Sequence, residues 1–254
     1  MPDPPQQVTD NIHRVADGVV NYYIVTDGAD GLALVDSGWP RSWPGIVQSL
    51  ASLGRSPADL DAVILTHGHP DHLGGAEHAR RQTSAPVLVP RREVERVRGQ
   101  APGSSPWTLV PALTLQLWRP ATMAFVGKAA VKGFLQPKWV EEVQPFDIGD
   151  KLDWPGTPRV ISTPGHTEGH VSLHFEDDGA LIAGDALVTR DPVTGATGPR
   201  LPHDVLASDP EQARTSLATI ADLDAGLVLG GHGEPWSGSA KAAAEQAQAR
   251  ASEA

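Results

Sequence analysis

The sequence predicts a mixed α+β fold whose chemistry gathers at strand ends, and three observations carry that expectation. Apolar runs of strand length are interleaved with helix-length stretches along most of the chain. Four of the apolar runs are followed within a few residues by histidine or aspartate. Glycines stand at the same places, at Gly68, Gly165, Gly184, Gly231 and Gly233, where the lack of a side chain lets backbone approach a crowded centre.

The first half begins with a Pro-rich start. Ile12 to Val15 and Val19 to Thr26 then read as strands, and the turn Asp27-Gly28-Ala29-Asp30-Gly31 returns the chain into Leu32 to Val35. That strand ends in Asp36-Ser37-Gly38. Asp36 reads as a turn residue or helix cap, or equally as a partner that orients a ligand or its loop. A helix is expected over Gly45 to Leu53, and a turn at Ser56 to Asp59 leads into the apolar run from Asp61 to Leu65.

Next comes Thr66-His67-Gly68-His69-Pro70-Asp71-His72, and a helix is expected from Leu73 to Gln82. His67, His69, Asp71 and His72 thus sit on a turn between a core strand and a helix. A rigid strand end can hold ligands in fixed geometry, which a metal site needs. Imidazole and carboxylate suit zinc, and also iron, manganese or nickel. A solvated His-rich turn is the alternative, but few arbitrary loops gather four such groups where a strand ends.

Pro86 to Val89 reads as a short strand, and the periodicity then breaks over an inserted segment at about 90–144. Arg91 to Arg98 is helix-like. Its Arg91, Arg92, Arg96 and Arg98, interleaved with Glu93 and Glu95, read as a solvated face. Trp107, Leu109, Trp118, Met123, Phe125, Phe134, Leu135 and Trp139 lie scattered among prolines and glycines. Taken singly they read as the core of a helical insertion. As a group, with Trp107, Trp118, Phe125 and Phe134 foremost, they could wall an apolar substrate pocket, which would make the segment a lid.

Phe146 to Leu152 is expected to resume the sheet, and Arg159 to Ser162 is a strand that leads to His166. Val171 to Phe175 alternates as a strand, and Ala180 to Ala183 is its partner, ending in Gly184-Asp185. Asp209 caps a helix to Leu223, with Pro210 at its first position. Leu227 to Leu229 is the last strand and ends in Gly230-Gly231-His232, before an Ala-rich helix from about Gly238 to the C-terminus. The ligand candidates are therefore His67, His69, Asp71, His72, His166, Asp185 and His232. The other histidines lack that setting. His13, His78 and His203 read as surface residues, His174 lies mid-strand, and His170 reads as a turn residue or a partner to the ligands.

Composition bounds the function. The chain has 254 residues, 40% of them hydrophobic, and a net charge of −11. It has no long basic block of the kind a general nucleic-acid binder needs. It has no cysteine, hence no disulfide, thiolate ligand or cysteine nucleophile. The first residues lack the basic and apolar regions of a signal peptide, and no apolar run reaches membrane-spanning length. A cytoplasmic protein acting on a small molecule, with no nucleic-acid or membrane partner, is the expectation.

An HxHxDH run followed by a distant His, Asp and His resembles the metallo-β-lactamase superfamily of metallohydrolases, and Leu34-Val35-Asp36-Ser37-Gly38 resembles its first motif. The likeness runs from about Ile12 to Trp236. It implies an αββα sandwich, two sheets face to face with helices outside and metals at one edge, in a single domain over 1–254. It implies that one metal takes His67, His69 and His166, that the other takes Asp71, His72 and His232, and that Asp185 bridges them. It also favours the orienting role of Asp36. Two divalent ions are implied, zinc first, with iron or manganese as alternatives.

Paired metals about 3.5–4 Å apart share a water and lower its pKa enough to give hydroxide near neutral pH. Asp71, beside that water, is the candidate to orient it and shuttle its proton. Several branches of the family fit poorly. Exported β-lactamases usually carry a cysteine or a lysine for the substrate carboxylate, glyoxalase II carries a long helical C-terminal region, and acyl-homoserine lactonases place a tyrosine where Val188 stands here. Flavodiiron proteins have a glutamate where His69 stands, and RNA-processing members need basic surfaces. An ester, thioester or lactone hydrolase is the expectation that remains. Phosphodiester or β-lactam hydrolysis, a mononuclear iron oxidoreductase using His67, His69 or His166 with Asp185, and a metal-stabilised binding module are the alternatives.

Overall fold

The computed structural model describes residues 2–28 and 31–252. Ala29 and Asp30 of the expected turn, and the last two residues of the C-terminal stretch, lie outside the described residues. The first half gives β1 (Gln6–Gln7), β2 (Ile12–Asp17), β3 (Val20–Asp27) and β4 (Gly31–Val35), then α1 (Trp43–Ser52), β5 (Ala62–Ile64), α2 (Ala76–Gln82) and β6 (Val87–Pro90). The inserted segment carries α3 (Val94–Val97), α4 (Val110–Thr114) and α5 (Pro120–Val131) and returns through β7 (Gln144–Phe146). The second half gives β8 (Arg159–Ser162), β9 (Val171–Phe175), β10 (Ala180–Gly184), β11 (Val188–Arg190) and β12 (Thr197–Arg200), then α6 (Pro210–Ala221), β13 (Leu227–Gly230), β14 (Trp236–Ser237) and α7 (Ala240–Ala251).

Strands β1 to β7 form one sheet in sequence order, and the second sheet runs β14-β13-β10-β9-β8. The first sheet is antiparallel from β1 to β4 and parallel from β4 to β7. Period-two alternation decides which side chains meet. Tyr23, Val25, Val35, Ile64 and Leu88 from the first sheet pack on Val160, Leu173, Phe175, Ile182 and Leu229 from the second. The opposite residues of the first sheet, Tyr22, Ile24, Leu34 and Val63, pack on Trp43, Ile46 and Leu50 of α1 and Ala76 and Ala79 of α2. Leu181, Ala183 and Val228 pack outward on α6 and α7. Both those helices bury residues at helical spacing, Ala213, Ser216, Leu217 and Ile220 in one and Ala240, Ala243, Ala244 and Ala247 in the other. Four layers, αββα, result.

Some boundaries differ from the sequence expectation. The strand expected at Phe146 to Leu152 lies earlier, at Gln144–Phe146, because its pairing with β6 runs from Leu88↔Gln144 to Pro90↔Phe146. Helix α2 starts at Ala76, since Leu73 to Gly75 form the turns that pack on Ser37 and Gly38 through Gly74 N–H to Gly38 O and Gly75 N–H to Ser37 O. The β11–β12 hairpin, VTR against TGPR, has no alternation by which the sequence would announce it. The solvated face expected at Arg91 to Arg98 is half wrong, because Glu93 and Arg96 are buried while Arg91, Arg92 and Arg98 are exposed.

The insertion packs through its own cluster, in which Phe125, Phe134 and Leu113 meet Trp39, Val20, Val193 and Leu206. Trp39 lies 5.9 Å, centroid to centroid, from each of Phe125 and Phe134. Thr122 Oγ1 donates to the Val193 carbonyl, and Lys132 Nζ lies 2.7 Å from the carboxylate of Asp17. No helix among the described residues is long and apolar enough to cross a membrane.

Candidate metal centre

Five strands deliver the site. Asp36 follows β4, His67 to His72 follow β5, His166 follows β8, Asp185 follows β10 and His232 follows β13. The seven expected ligands converge at this edge. One atom from each of His67, His69 and His166 forms a trio within 4.8 Å, and one from each of Asp71, His72 and His232 forms another. Asp185 joins the two trios, its Oδ2 lying 3.2 Å from His166 Nε2, 3.2 Å from His232 Nε2 and 3.6 Å from His72 Nε2. All but His69 are buried.

The free ring nitrogens are selected by what the other nitrogen does. His72 Nδ1 lies 2.8 Å from Asp36 Oδ2, which leaves Nε2 facing Asp185. His232 Nδ1 donates to the Val19 carbonyl at 2.6 Å, which leaves its Nε2 facing Asp185 and Asp71. His67 Nδ1 is 3.0 Å from Thr66 Oγ1. Asp36, His67 and His72 also lie close enough to form a third trio. The oxygens of Asp36 are already occupied, however, by the Thr66 N–H and hydroxyl and by His72 Nδ1. Asp36 thus ties β4 to the turn that carries His67 to His72. Asp36 adopts φ +56°, a left-handed conformation that aspartate tolerates better than most residues, and this brings its carboxylate onto Thr66 and His72.

The donor set fits divalent cations. His67 Nε2, His72 Nε2 and Asp185 Oδ1 are buried with no hydrogen-bond partner among the described residues. Such atoms cost about 1–3 kcal/mol each when left unsatisfied, so they need an explanation. Burial holds His67 and His69 well below the usual histidine range and His166 down to about 3, so these three rings are neutral and each keeps one nitrogen lone pair for a cation. Burial also disfavours the charged forms of His72 and His232, but the attraction of Asp185 overrides it and raises both. Protons there supply positive charge opposite the carboxylates, which is the charge a cation would bring. Burial raises the Asp71 carboxyl. Gly231 permits the convergence, since a Cβ on it would lie 2.2 Å from Asp185 Oδ1 and 2.6 Å from His72 Cε1.

Two groups that the sequence left in minor roles tie the loops together. Glu93 accepts from the Gly68 N–H at 2.8 Å and the Gly169 N–H at 2.7 Å, joining the two His-bearing loops. Its place among arginines hid it, and no local signal separates it from Glu95 two residues on. His170 Nε2 accepts from the Asp185 N–H at 3.0 Å, and its Nδ1 meets Thr163 Oγ1 at 2.9 Å, which matches its reading as a partner to the ligands. His13, His78 and His203 are half-buried away from the cluster, and His174 is buried mid-strand against the Asp224 carbonyl.

The aromatic candidates divide. Phe125 and Phe134 are buried, and with Trp107 and Leu113 they border an apolar hollow of about 160 Å³. A second hollow, of about 180 Å³, is bordered by His69, Arg96 and Ser104, and Pro106 lines both. Trp118 stands apart as a correction to the expected pocket wall, because it is 71% exposed with the Arg119 guanidinium 4.4 Å over its ring.

Known proteins share this build. The family model described as the metallo-beta-lactamase superfamily matches residues 15–232. The probable metallo-hydrolase YflN of Bacillus subtilis (strain 168) is 29% identical over 239 residues, which cover 89% of this chain and 85% of that protein. The crystal structure of a metallo-beta-lactamase family protein from Thermus thermophilus superposes with a TM-score of 0.67 at 27% identity, covering 92% of this chain and 75% of that one. BJP-1, a subclass B3 metallo-beta-lactamase of Bradyrhizobium japonicum, is alike in fold, with a TM-score of 0.68 at 20% identity over 99% of this chain and 93% of its own. Since the matched span takes in nearly all of both sheets and every ligand candidate from His67 to His232, the chain belongs to the metallo-beta-lactamase superfamily.

Proposed function

We propose that the chain is a dinuclear-metal hydrolase that opens an ester, thioester or lactone carbonyl of a small-molecule substrate. The observation that carries this reading is the position of Asp185, one carboxylate oxygen within 3.6 Å of histidine nitrogens from both trios. His67, His69 and His166 would hold one cation, and Asp71, His72 and His232 the other, with Asp185 between them. Two divalent ions, zinc by donor type with iron or manganese as alternatives, would supply an acidified water and polarise the carbonyl oxygen.

The chain's own groups do the rest. Asp36, the Val19 carbonyl and Thr66 fix the rings. Asp71, whose Oδ2 lies 3.8 Å from His232 Nε2, would orient that water and carry its proton to the departing oxygen or sulfur. The hollow bordered by Phe125 and Phe134 offers apolar walls to an acyl or leaving group. On this reading the whole chain is one domain, and the segment at 90–144 is its lid, anchored through Thr122, Lys132 and Trp39.

The test has two parts. Metal analysis of protein purified without added zinc is expected to approach two ions per chain. A panel of esters, thioesters, lactones, phosphodiesters and β-lactams should then give turnover on one of the first three classes. A stoichiometry of one, or oxygen consumption in place of hydrolysis, would sink the dinuclear reading.

A further inference from the structure

The hollow beside His69 is lined by two polar side chains that have no hydrogen-bond partner among the described residues. It is bordered by His69, Arg96, Ser104, Ser105, Thr108 and Ser208, among others. Arg96 is 8% exposed, yet no described residue accepts a hydrogen bond from its side chain, and the carboxylate beside it is that of Glu93, 3.7 Å from its Nε. That distance is too long for a hydrogen bond. The Glu93 oxygens are in any case occupied by the Gly68 and Gly169 N–H groups. Ser104 is 4% exposed and its hydroxyl has no partner among the described residues. A guanidinium with no hydrogen-bond acceptor among the described residues and a buried hydroxyl without a partner, on the same small hollow, are what an anion site looks like.

The guanidinium is aimed by its stem. The stem of Arg96 lies across the turn between His67 and His69, where a Cβ on Gly68 would sit 2.8 Å from Arg96 Cγ. Glycine at this position thus serves the arginine and not only the ligands. The stem is buried on the metal-ligand turn and the charged head borders the hollow that His69 also borders.

We propose that Arg96 and Ser104 bind a carboxylate of the substrate, so that the molecule cleaved at the metal edge is an acid carrying a second, hydrolysable carbonyl group. Arg96 offers the forked pair of donors that fits a carboxylate, and Ser104 adds a third donor. The neighbouring Glu93 leaves the hollow little net positive charge for a dianion, which favours a carboxylate over a phosphate. The inference rests on the hydrolase reading for its reaction, but not for its binding.

The experiment therefore reads binding. Metal-loaded protein is titrated by calorimetry with 4-oxopentanoate and with 4-oxopentanamide, which share a ketone and differ in carboxylate against neutral amide. Wild type is expected to prefer the carboxylate by about 10-fold or more, from charge-assisted hydrogen bonds. Arg96→Met, which keeps the stem, should abolish that preference at unchanged metal content, and Arg96→Lys should retain part of it. Ser104→Ala should weaken 4-oxopentanoate binding while raising the Tm of ligand-free protein, since it removes an unsatisfied buried hydroxyl. A merely structural serine would not move the two in opposite directions. Equal binding of the two probes by wild type, or a preference kept intact in Arg96→Met, overturns the proposal. A carboxylate preference lost in Arg96→Met, in a protein that hydrolyses nothing on the panel, supports the anion site and counts against the hydrolase reading alone.

Discussion

At the scale of the residue, the rings of His67, His72 and His232 are each held by a partner on the nitrogen away from the cluster. Asp36 is the most exacting of these partners, because one carboxylate takes the Thr66 N–H, the Thr66 hydroxyl and His72 Nδ1 while its backbone holds φ +56°. Asp36→Ala is expected to lower metal affinity by about 10–100-fold with the fold retained, measured by competition with a chromogenic chelator. Asp71→Ala should lose hydrolysis more completely than Asp36→Ala under saturating metal, because in the proposed reaction Asp71 would orient the attacking water while Asp36 would act only through the His72 ring. Equal and mild losses in both would contradict these roles. The seven ligand candidates were legible because each is a His or Asp just past a strand. Glu93 and Arg96 were not, because alternating charges on a short helix look the same whether they face water or a loop. Only the packing of that helix against Gly68 and Gly169 tells them apart.

At the scale of the element, helix α2 follows the HxHxDH turn directly and is pinned at its outer end by a charge cluster. Glu77 receives hydrogen bonds from Arg80 and Arg81, which also reach Glu141 near the end of the insertion. Burial pushes the Glu77 carboxyl up, but the two guanidiniums prevail and bring it to about 2. A carboxyl whose folded pKa is depressed stabilises the protein above its unfolded pKa, near 4.5, and that stability is lost as pH falls toward 2. The full shift would correspond to about 3 kcal/mol. Solvent around Arg81 and Glu141, 58% and 64% exposed, reduces this to about 1–2 kcal/mol. Urea unfolding should therefore find Glu77→Gln less stable than wild type by that amount at pH 7, with the gap closing between pH 4.5 and 2. A gap that persists at pH 2 would assign the loss to packing.

The insertion behaves as an element of its own. Phe125→Ala should cost about 3–5 kcal/mol because the ring is 3% exposed and packs on Trp39, whereas Trp118→Ala should stay within about 0.5 kcal/mol on an exposed ring. Thermal denaturation of the two variants side by side checks this, and a large loss in Trp118→Ala would mean that its ring is covered in solution. Broken periodicity announced the insertion, but its three short helices carry no long amphipathic stripe. Which aromatics are buried was decided by the docking on Trp39 and Val193, long-range contacts that no local pattern encodes.

At the scale of the whole molecule, the layering was legible where the pattern is periodic. The buried stripes of α6 and α7 and the alternation in β9 specify their faces directly. The pairing of β7 with β6 across the whole insertion was not legible, because register depends on what the partner offers. The ligand candidates divide between the sheets in a way that has a mechanical consequence. His67 to His72 hang from the first sheet, while His166, Asp185 and His232 hang from the second. Any ion held by a trio would therefore be a rivet between the two halves of the chain. This protein has no cysteine with which to make a cross-link of another kind. A rivet from Asp71 to His232 would close a loop of about 160 residues, for which chain-entropy arguments give about 5 kcal/mol of destabilisation of the unfolded chain. Stripping the ions with a chelator should then lower the unfolding temperature and also let the halves melt separately, as two calorimetric transitions where the loaded protein shows one. The ions would act on the lifetime of the folded chain as much as on its chemistry, and scarcity of metal would be felt first as turnover of the protein itself.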